Sequence, residues 1–426
     1  MSDATVTLGA VGDLTFSAGI AVDMEAHGFD WPFARMRADL DRADILFGNL
    51  ESVVIPDTFP PERLDPLGLV ARLDSRALAG TLRRAGFDVL NLAQNHVLDA
   101  GEVGMLHTRR VLEEAGLAVG GVGATQAEAR SLITRECGGL RFGFLCYCED
   151  SNYTLGTIGP CHAYYTPKGV LEDIERHRPY VDILVVSVHA DLEFVPTPST
   201  PRLRAFRSFA AAGADIVLGH HPHVPQGCEL VQGRLLAYSL GNFITAAREK
   251  SGYMAPHLPW TARSFLLLVR VNRNGVQSFE RIPFEIGNPP EQRPLPLSGT
   301  AREELATRFA ELDGYLGDDS LVQAVWQDAA KRCLAAYILQ SLGPPARSGP
   351  LWKDGLHQLL WRLGRRSVGV DMDRVINDLV PRVYLTAENR GWMEEILSMS
   401  RQRWEARKSE TPDPFRRPAA RTDQKR

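Results

Sequence analysis

The chain has 426 residues, of which 44% are hydrophobic and 23% charged, so it is long enough for one large globular domain and a smaller one. Its net charge of −4 gives no overall basic bias toward nucleic acid. The six cysteines are scattered and form no CxxC pair, which excludes a disulfide framework and a zinc ribbon.

We expect neither a signal peptide nor a membrane span. The stretch MSDATVTLGAVGD has no charged segment followed by an apolar one. No apolar run approaches about 18 residues, so the predicted location is the cytoplasm. Residues 401–426 hold nine Lys/Arg against four Asp/Glu, which is typical of a solvated tail; binding to an acidic partner is the less favoured interpretation.

Strand-like runs alternate with helical patterns through residues 1–290. Residues 5–12 are predicted to form a buried strand that ends at Asp13, and residues 43–47 a second strand that ends at Gly48-Asn49. Further strands are predicted at 87–92, near 130–135, 140–147, 182–188, 215–218, 228–231 and 234–239, and on both sides of the turn 272–275, with helices at 31–41, 74–85, 101–115, 168–177 and 202–212. This mixture of β-α units and hairpins predicts an α/β layered sandwich.

The pattern changes after a Pro-rich linker at 291–299. From residue 300 to 407 only helical spacing remains, followed by a disordered basic tail at 408–426. The predicted helices cover 300–313, 319–341, 351–363, 371–379 and 384–407. An apolar stripe in this all-helical C-terminal region is typical of a core or of a subunit contact, so a homo-oligomer through this region is one expectation.

Polar residues able to bind metal ions follow five of the strand-like runs. These segments are Gly12-Asp13, Gly48-Asn49-Leu50-Glu51, residues 91–99, Val188-His189 and Gly219-His220-His221-Pro222-His223. Five of the eleven histidines lie within them. Because open α/β sheets bind ligands at the carboxyl ends of their strands, we expect these side chains to converge.

The residue types in these segments suit a site for two divalent transition metal ions. The predicted metal ligands are Asp13, Glu51, Asn95, His189, His221 and His223. Carboxylate, amide and imidazole groups suit Mn, Zn, Fe or Ni ions that activate water and stabilise an in-line displacement. If residues 219–223 are strand-like, alternate residues share a face. His221 and His223 are then expected to point the same way and His220 elsewhere.

Each of these residues taken singly also has a structural interpretation. Asp13 alone is equally compatible with a helix N-cap, and Asn49 and Asn91 with turn or strand-end positions. His189 alone is more typical of a core histidine with satisfied hydrogen bonds. The metal-site hypothesis therefore depends on the five segments taken together.

The same motifs resemble those of the CapA family of poly-γ-glutamate capsule-synthesis proteins. They are Gly12-Asp13, the 48–51 segment, the NLAQNHVLDAG run, the 219–223 segment and residues 238–243 (YSLGNF), and the resemblance covers roughly residues 4–287. It implies a four-layer αββα sandwich, like that of calcineurin-like metallophosphoesterases, with a dinuclear metal site.

The resemblance also implies roles for further residues. His96 stands where a general acid protonates the leaving group. Asn49, His220, Asn242 and Glu193 are expected to support the site or to contact the substrate, although residues 238–243 are equally compatible with a plain turn.

Two departures from the family pattern bear on the site. Leu14-Thr15 follow Asp13, so the Asp-x-His motif of the phosphoesterases is absent and one metal ion is expected to lose a ligand. The usual His-Trp-Gly-x-Glu becomes His189-Ala190-Asp191-Leu192-Glu193. Asp191 is therefore predicted to be a catalytic residue, as a substrate contact or extra ligand, with a solvated loop residue as the alternative.

The leading functional hypothesis is a metal-dependent hydrolase or transferase of the CapA family. It would cleave or transfer a phosphoester or amide-type bond of a small-molecule or peptide substrate in poly-γ-glutamate capsule metabolism. The alternative is a non-enzymatic CapA-like scaffold whose helical C-terminal region binds other proteins. A nucleic-acid phosphodiesterase that uses the basic tail is disfavoured by the acidic balance of residues 1–400.

Overall fold

Strands and helices form four layers in the computed structural model of the chain. The structure describes residues 5–16, 18–56, 58–60, 69–149, 160–246, 260–288 and 291–341. Two β-sheets lie face to face, and helices cover the outer face of each sheet. The predicted α/β fold with an αββα sandwich is therefore confirmed.

The first sheet has eight strands. They are β1 (Val6–Leu14), β2 (Ile45–Leu50), β5 (Phe87–Asn91), β6 (Ala118–Gly120), β15 (Asn242–Ile244), β16 (Arg263–Asn272), β17 (Gly275–Ile286) and β18 (Pro294–Pro296). Their order is β18-β17-β16-β1-β2-β5-β6, and β15 also pairs with β1. Because β1, β2, β5 and β6 run parallel, their carboxyl ends lie at one edge of the sheet.

The second sheet has six strands. They are β8 (Ile133–Cys137), β9 (Leu140–Cys148), β11 (Ile183–His189), β12 (Ile216–His220), β13 (Cys228–Val231) and β14 (Arg234–Ala237), in the order β13-β14-β12-β11-β9-β8. Strands β9, β11, β12 and β14 are parallel. Two short ladders pair β3 (Val53–Val54) with β4 (Val70–Ala71), and β7 (Val122–Gly123) with β10 (Cys161–His162).

Nine α-helices lie in the described part of the chain. They are α1 (Ala18–His27), α2 (Arg37–Leu40), α3 (Ser75–Arg84), α4 (Gly101–Glu114), α5 (Gln126–Ala129), α6 (Pro167–His177), α7 (Thr200–Ala212), α8 (Gly299–Tyr315) and α9 (Asp319–Ser341). Side-chain caps fix several starts: Asp74 accepts from the Ala77 N–H at α3, and Ser199 from the Arg202 N–H at α7. Gly213, with φ of 119°, ends α7 in the left-handed conformation that glycine adopts without strain.

Alternation along the central strands divides their side chains between two cores. On β11, Val185 lies in the core between the sheets, and Val186 lies in the core that α6 and α7 cover. Between the sheets, the rings of Phe47 and Phe144 stack with centroids 5.9 Å apart. A third core joins the other face of the first sheet to α1, α3 and α4, for example through Leu78. Strands buried on both faces explain the continuous apolar runs of the sequence.

Some local expectations are corrected. The helix predicted at 31–41 is interrupted, because a 3-10 turn over Trp31–Phe33 precedes the single turn of α2. Helix α1 was not predicted. Strand β18 lies within the predicted 291–299 linker and pairs with β17. The helices predicted at 351–363, 371–379 and 384–407 and the tail at 408–426 lie outside the described residues.

Helix α8 packs into the core between the two sheets. Its residues Leu305, Phe309 and Leu312 are buried there. Asp313 of α8 accepts hydrogen bonds from Arg281 at 2.6 and 2.8 Å and from the Cys228 N–H at 2.7 Å. The domain boundary at residue 290 stays a prediction. Helix α8, which follows that boundary in the chain, contacts both sheets. None of the described helices is both long and apolar enough to cross a membrane.

We predict that Phe309→Ala lowers the free energy of unfolding by about 3–5 kcal/mol, because it leaves a cavity in the core between the sheets. The Phe309 ring is 1% exposed and meets the Phe265 ring edge-on, with centroids 4.9 Å apart. Urea unfolding of the full chain measures the loss. Glu304→Ala, on the exposed face of the same helix, is the control and should change stability by less than about 0.5 kcal/mol. Equal effects of the two variants would contradict a stabilising role of α8.

Candidate metal centre

Polar residues line the facing edges of the two sheets, where the parallel strands end. In the first sheet, Asp13, Asn49 and Asn91 lie side by side in the register of β1, β2 and β5. In the second sheet, His189 lies beside His220 at the ends of β11 and β12. Strand pairing thus aligns residues that are far apart in the sequence, as the strand-end motifs predict.

Residues 238–243 bridge the two sheets at this edge. The Asp13 N–H donates to the Gly241 carbonyl at 2.9 Å, and the Leu240 N–H donates to the Gly219 carbonyl at 3.1 Å. A Cβ on Gly12 would lie 1.8 Å from the Gly241 oxygen, and one on Gly219 would lie 1.8 Å from the Tyr238 oxygen. Glycine is therefore required where β1 and β12 approach this segment.

Four potential ligand atoms converge at His189. Its Nε2 lies 2.9 Å from Asn95 Oδ1, 3.1 Å from His221 Nδ1 and 3.8 Å from Glu51 Oε1. A single proton on Nε2 cannot serve three acceptors at once. Ligand atoms that share one ion at about 2.0–2.2 Å are roughly 3–4 Å apart, so these spacings suit a divalent cation.

A second set of ligand atoms lies around His223. His223 Nε2 is 3.5 Å from Glu51 Oε1, and Nδ1 is 3.3 Å from Asp13 Oδ2. Nδ1 also lies 2.9 Å from Asn242 Oδ1, which orients the ring from the side of the 238–243 segment. Glu51 belongs to both sets, Glu51–His189–His221 and Asp13–Glu51–His223, and can therefore bridge two ions.

The Glu51 carboxylate is the strongest evidence that a cation fits here. It is fully buried, and neither of its oxygens has a hydrogen-bond partner among the residues that the structure describes. Burial raises the pKa of Glu51 well above its ordinary value. Burial alone would lower the pKa of His223, but the surrounding carboxylates, Glu51 and Asp13 foremost, raise it to about 10. The cavity thus favours positive charge, which divalent ions would supply.

His189, His221 and Asp13 are held in the protonation states that metal binding requires. Burial lowers the pKa of His221 to about 4 and that of His189 well below its ordinary value, so both imidazoles stay neutral at physiological pH. Burial would raise the pKa of Asp13, but the hydrogen bond and charge of His223 outweigh it, and that pKa is lowered. Asp13 is therefore ionised at neutral pH.

His221 and His223 face the same cavity, with ring centroids 5.8 Å apart, but strand alternation is not the reason. Strand β12 ends at His220, and His221 and His223 have left-handed φ values of 94° and 57°. Loop conformation, and not the predicted strand alternation, therefore orients both rings. Four of the five described non-glycine residues with positive φ surround this centre: Asp191, Phe194, His221 and His223. Such strained backbone is characteristic of functional sites.

Two residues predicted to support the site, Asn49 and His220, lie beside Asp13, and Asn91, for which no such role was predicted, contacts Asn49. Asn49 donates through Nδ2 to Asp13 Oδ1 at 2.8 Å, and the same nitrogen lies 3.1 Å from His189 Nδ1. Asn91 in turn donates to Asn49 Oδ1 at 2.7 Å. His220 is fully buried beneath the centre, with Nδ1 3.6 Å from Asp13 Oδ1. These contacts orient Asp13, one of the predicted metal ligands.

Asp191 organises the loop that follows β11. Its two carboxylate oxygens accept the Ser199 N–H at 2.7 Å and the Leu192 N–H at 3.0 Å. Asp191 is in none of the three residue groups able to hold an ion, so its predicted catalytic role stays a prediction. Glu193, two residues further on, forms one of those groups with His221 and His223.

His96 has a partner, Asp99, that was not predicted from the sequence. His96 Nδ1 lies 2.7 Å from Asp99 Oδ2, and the same oxygen accepts the Leu69 N–H at 2.5 Å. Asp99 is 1% exposed in its side chain, whereas His96 is 16% exposed. The spacing of three residues in the NLAQNHVLDAG run was the only available signal. This contact orients the His96 imidazole through its Nδ1.

Comparisons with known proteins agree with the motifs. A family model described as bacterial capsule synthesis protein PGA_cap matches residues 7–247. The capsule biosynthesis protein CapA of Bacillus anthracis is 28% identical over 249 residues, which are 56% of this chain and 59% of that protein. The PGA biosynthesis protein CapA of Bacillus subtilis (strain 168) is 26% identical over 67% of this chain and 73% of its own length.

Two solved structures are also similar. TT1561 of Thermus thermophilus aligns with a TM-score of 0.34 at 10% identity, over 63% of this chain and 99% of that chain. The 5'-nucleotidase of Candida albicans aligns with a TM-score of 0.36 at 12% identity, over 77% of this chain and 58% of that chain.

We predict that Gly12→Ala lowers the free energy of unfolding by about 1–3 kcal/mol, because the added methyl must displace the Gly241 carbonyl. Gly314→Ala is the matched control: nothing lies within 4 Å of its Cβ position in α8, so helix propensity should raise stability by up to about 1 kcal/mol. Thermal and urea unfolding of both variants measure the difference. Unchanged stability of Gly12→Ala would contradict the close approach of residues 238–243.

Proposed function

This chain belongs to the family of bacterial capsule synthesis proteins described by PGA_cap, and on that basis we propose that it is a metal-dependent hydrolase or transferase. The proposed reaction cleaves or transfers a phosphoester or amide-type bond at a dinuclear centre. Because the two Bacillus relatives are named for capsule and PGA biosynthesis, we propose a substrate of that pathway, a polymer precursor or a peptide with γ-glutamyl amide bonds.

One observation carries this proposal: the buried Glu51 carboxylate lies between the ring nitrogens of His189 and His223, and no hydrogen-bond donor reaches it from the described part of the chain. A protein that served only as a scaffold would have no use for a buried carboxylate without donors, because burying its charge costs several kcal/mol of stability. Divalent ions bound here would polarise the scissile group and activate water. Asp13, Glu51, Asn95, His189, His221 and His223 would hold them.

The protein's own groups supply proton transfer. His96 is partly exposed beside the ligand Asn95, and Asp99 holds its Nδ1. An imidazole oriented in this way can donate a proton from Nε2 to the leaving group. Asp99 contacts Nδ1 of His96 and orients its ring, so we assign Asp99 a positioning role.

We predict that the purified full chain binds about two divalent ions and turns over an aryl phosphodiester or a γ-glutamyl amide only when Mn, Zn, Fe or Ni is present. His221→Ala should lose at least one ion and about 10²-fold or more in turnover, because it removes an imidazole from the centre. Metal analysis and kinetics on the same preparations measure both effects.

The control for this experiment is His177→Ala, which removes a half-buried histidine at the end of α6, away from the centre. It should keep both metal content and turnover. The substrate that is turned over identifies the type of bond that the protein cleaves or transfers. If the wild-type protein binds no metal and turns over neither substrate, the enzyme hypothesis is contradicted and the scaffold hypothesis remains.

We further predict that Asp99→Asn lowers kcat by about 10²-fold or more for a substrate with a poor leaving group, and much less for an activated aryl leaving group that needs no proton. Asn keeps an oxygen that can accept the Leu69 N–H, so the fold should be unchanged. Kinetics of both substrates with Asp99→Asn and His96→Ala measure the effect. Equal losses for both leaving groups would contradict general-acid catalysis by His96.

A further inference from the structure

We propose that Glu193 is a ligand to the ion bound at His223, which makes that position rich in carboxylate oxygens and selective for a hard cation such as Mn²⁺. The inference rests on the proposed metal centre. It adds a seventh ligand from a different part of the chain, the loop between β11 and α7.

The geometry at His223 supports this assignment. Asn242 Oδ1 lies 2.9 Å from His223 Nδ1, which leaves Nε2 facing two carboxylates. Glu51 Oε1 is 3.5 Å from Nε2, and Glu193 Oε1 is 3.9 Å from it. Both separations fall within the range of roughly 3–4 Å for atoms that share one ion.

The loop that carries Glu193 is held in place from three sides. The Asp191 carboxylate accepts the Ser199 N–H, and the Phe194 N–H donates to the Pro222 carbonyl at 2.8 Å. The Phe194 ring lies against that of His223, with centroids 6.0 Å apart. Asp191 and Phe194 have φ values of 87° and 63°, so a strained backbone on both sides directs Glu193 toward the histidines.

The two ion positions then differ in chemistry. One would be formed by the Glu51 carboxylate, the Asn95 amide and the imidazoles of His189 and His221. The other would be formed by His223 with Asp13 and Glu51, which make one candidate ion-binding group, and with Glu193, which makes another with His221 and His223. Imidazole-rich sites suit Zn, Fe or Ni, whereas oxygen-rich sites suit Mn or Mg. Glu193 therefore sets the selectivity of the second position.

Mn²⁺ titration of the metal-free full chain, followed by the EPR signal of the free ion, tests this inference without any substrate. Wild type should bind two Mn²⁺ ions. Glu193→Gln should weaken the binding of one Mn²⁺ ion by at least about 10-fold and leave the affinity for the other ion unchanged. The rise in Tm on addition of Mn²⁺ should fall in parallel. Gln has the same size as Glu, and the Glu193 side chain is 26% exposed, so the fold should persist.

Glu149→Gln is the matched control, because Glu149 contacts the same loop through the Asp191 N–H but is 42% exposed and lies in none of the ion-binding groups. It should bind Mn²⁺ like wild type. Two undiminished Mn²⁺ sites in Glu193→Gln, or an equal loss in Glu149→Gln, would overturn the role of Glu193. Wild-type protein that binds fewer than two ions would instead contradict the dinuclear centre itself.

Discussion

The burial of the Glu51 carboxylate is the constraint on which the site depends. It lies where two sheet edges meet, is fully enclosed, and has no hydrogen-bond partner among the described residues. Burying the charge of such a group costs several kcal/mol. The neutral imidazoles of His189 and His221 do not offset this cost, and the protonated His223 offsets part of it. A bound cation would offset this cost. The buried charge that destabilises the fold without a metal ion would therefore also favour metal binding.

The fold creates this environment through close backbone packing. Residues 238–243 contact β1 at Gly12 and β12 at Gly219, so that one short segment joins both sheets at the edge where the ligands lie. The same segment provides Asn242, which holds His223. Rigid strand ends position Asp13 and His189, while loop residues with left-handed φ provide the remaining imidazoles. The strained backbone is therefore confined to the side of the centre formed by loops.

The sequence predicted the layered fold and the convergence of the strand-end residues, because alternation and strand ends are local patterns that sheet pairing brings together. Asp13 and His189 were identified in this way. Contacts that depend on loop conformation could not be read from a pattern: His221 and His223 face the same cavity through left-handed backbone rather than through alternation. The pairing of Asp99 with His96 and the packing of α8 between the sheets were missed for the same reason, since side-chain geometry decides them.

Exposure indicates the side from which a substrate approaches the centre. Among the described side chains, Glu51 and His189 are 0% exposed, whereas His223 is 13%, His96 16% and Glu193 26% exposed. Two of the proposed ligands, Glu51 and His189, thus lie deepest, and the proposed general acid His96 and the proposed ligand Glu193 are more exposed. Because solvent reaches His96, His223 and Glu193 but not Glu51 or His189, a substrate would contact the three exposed side chains before the two buried ones.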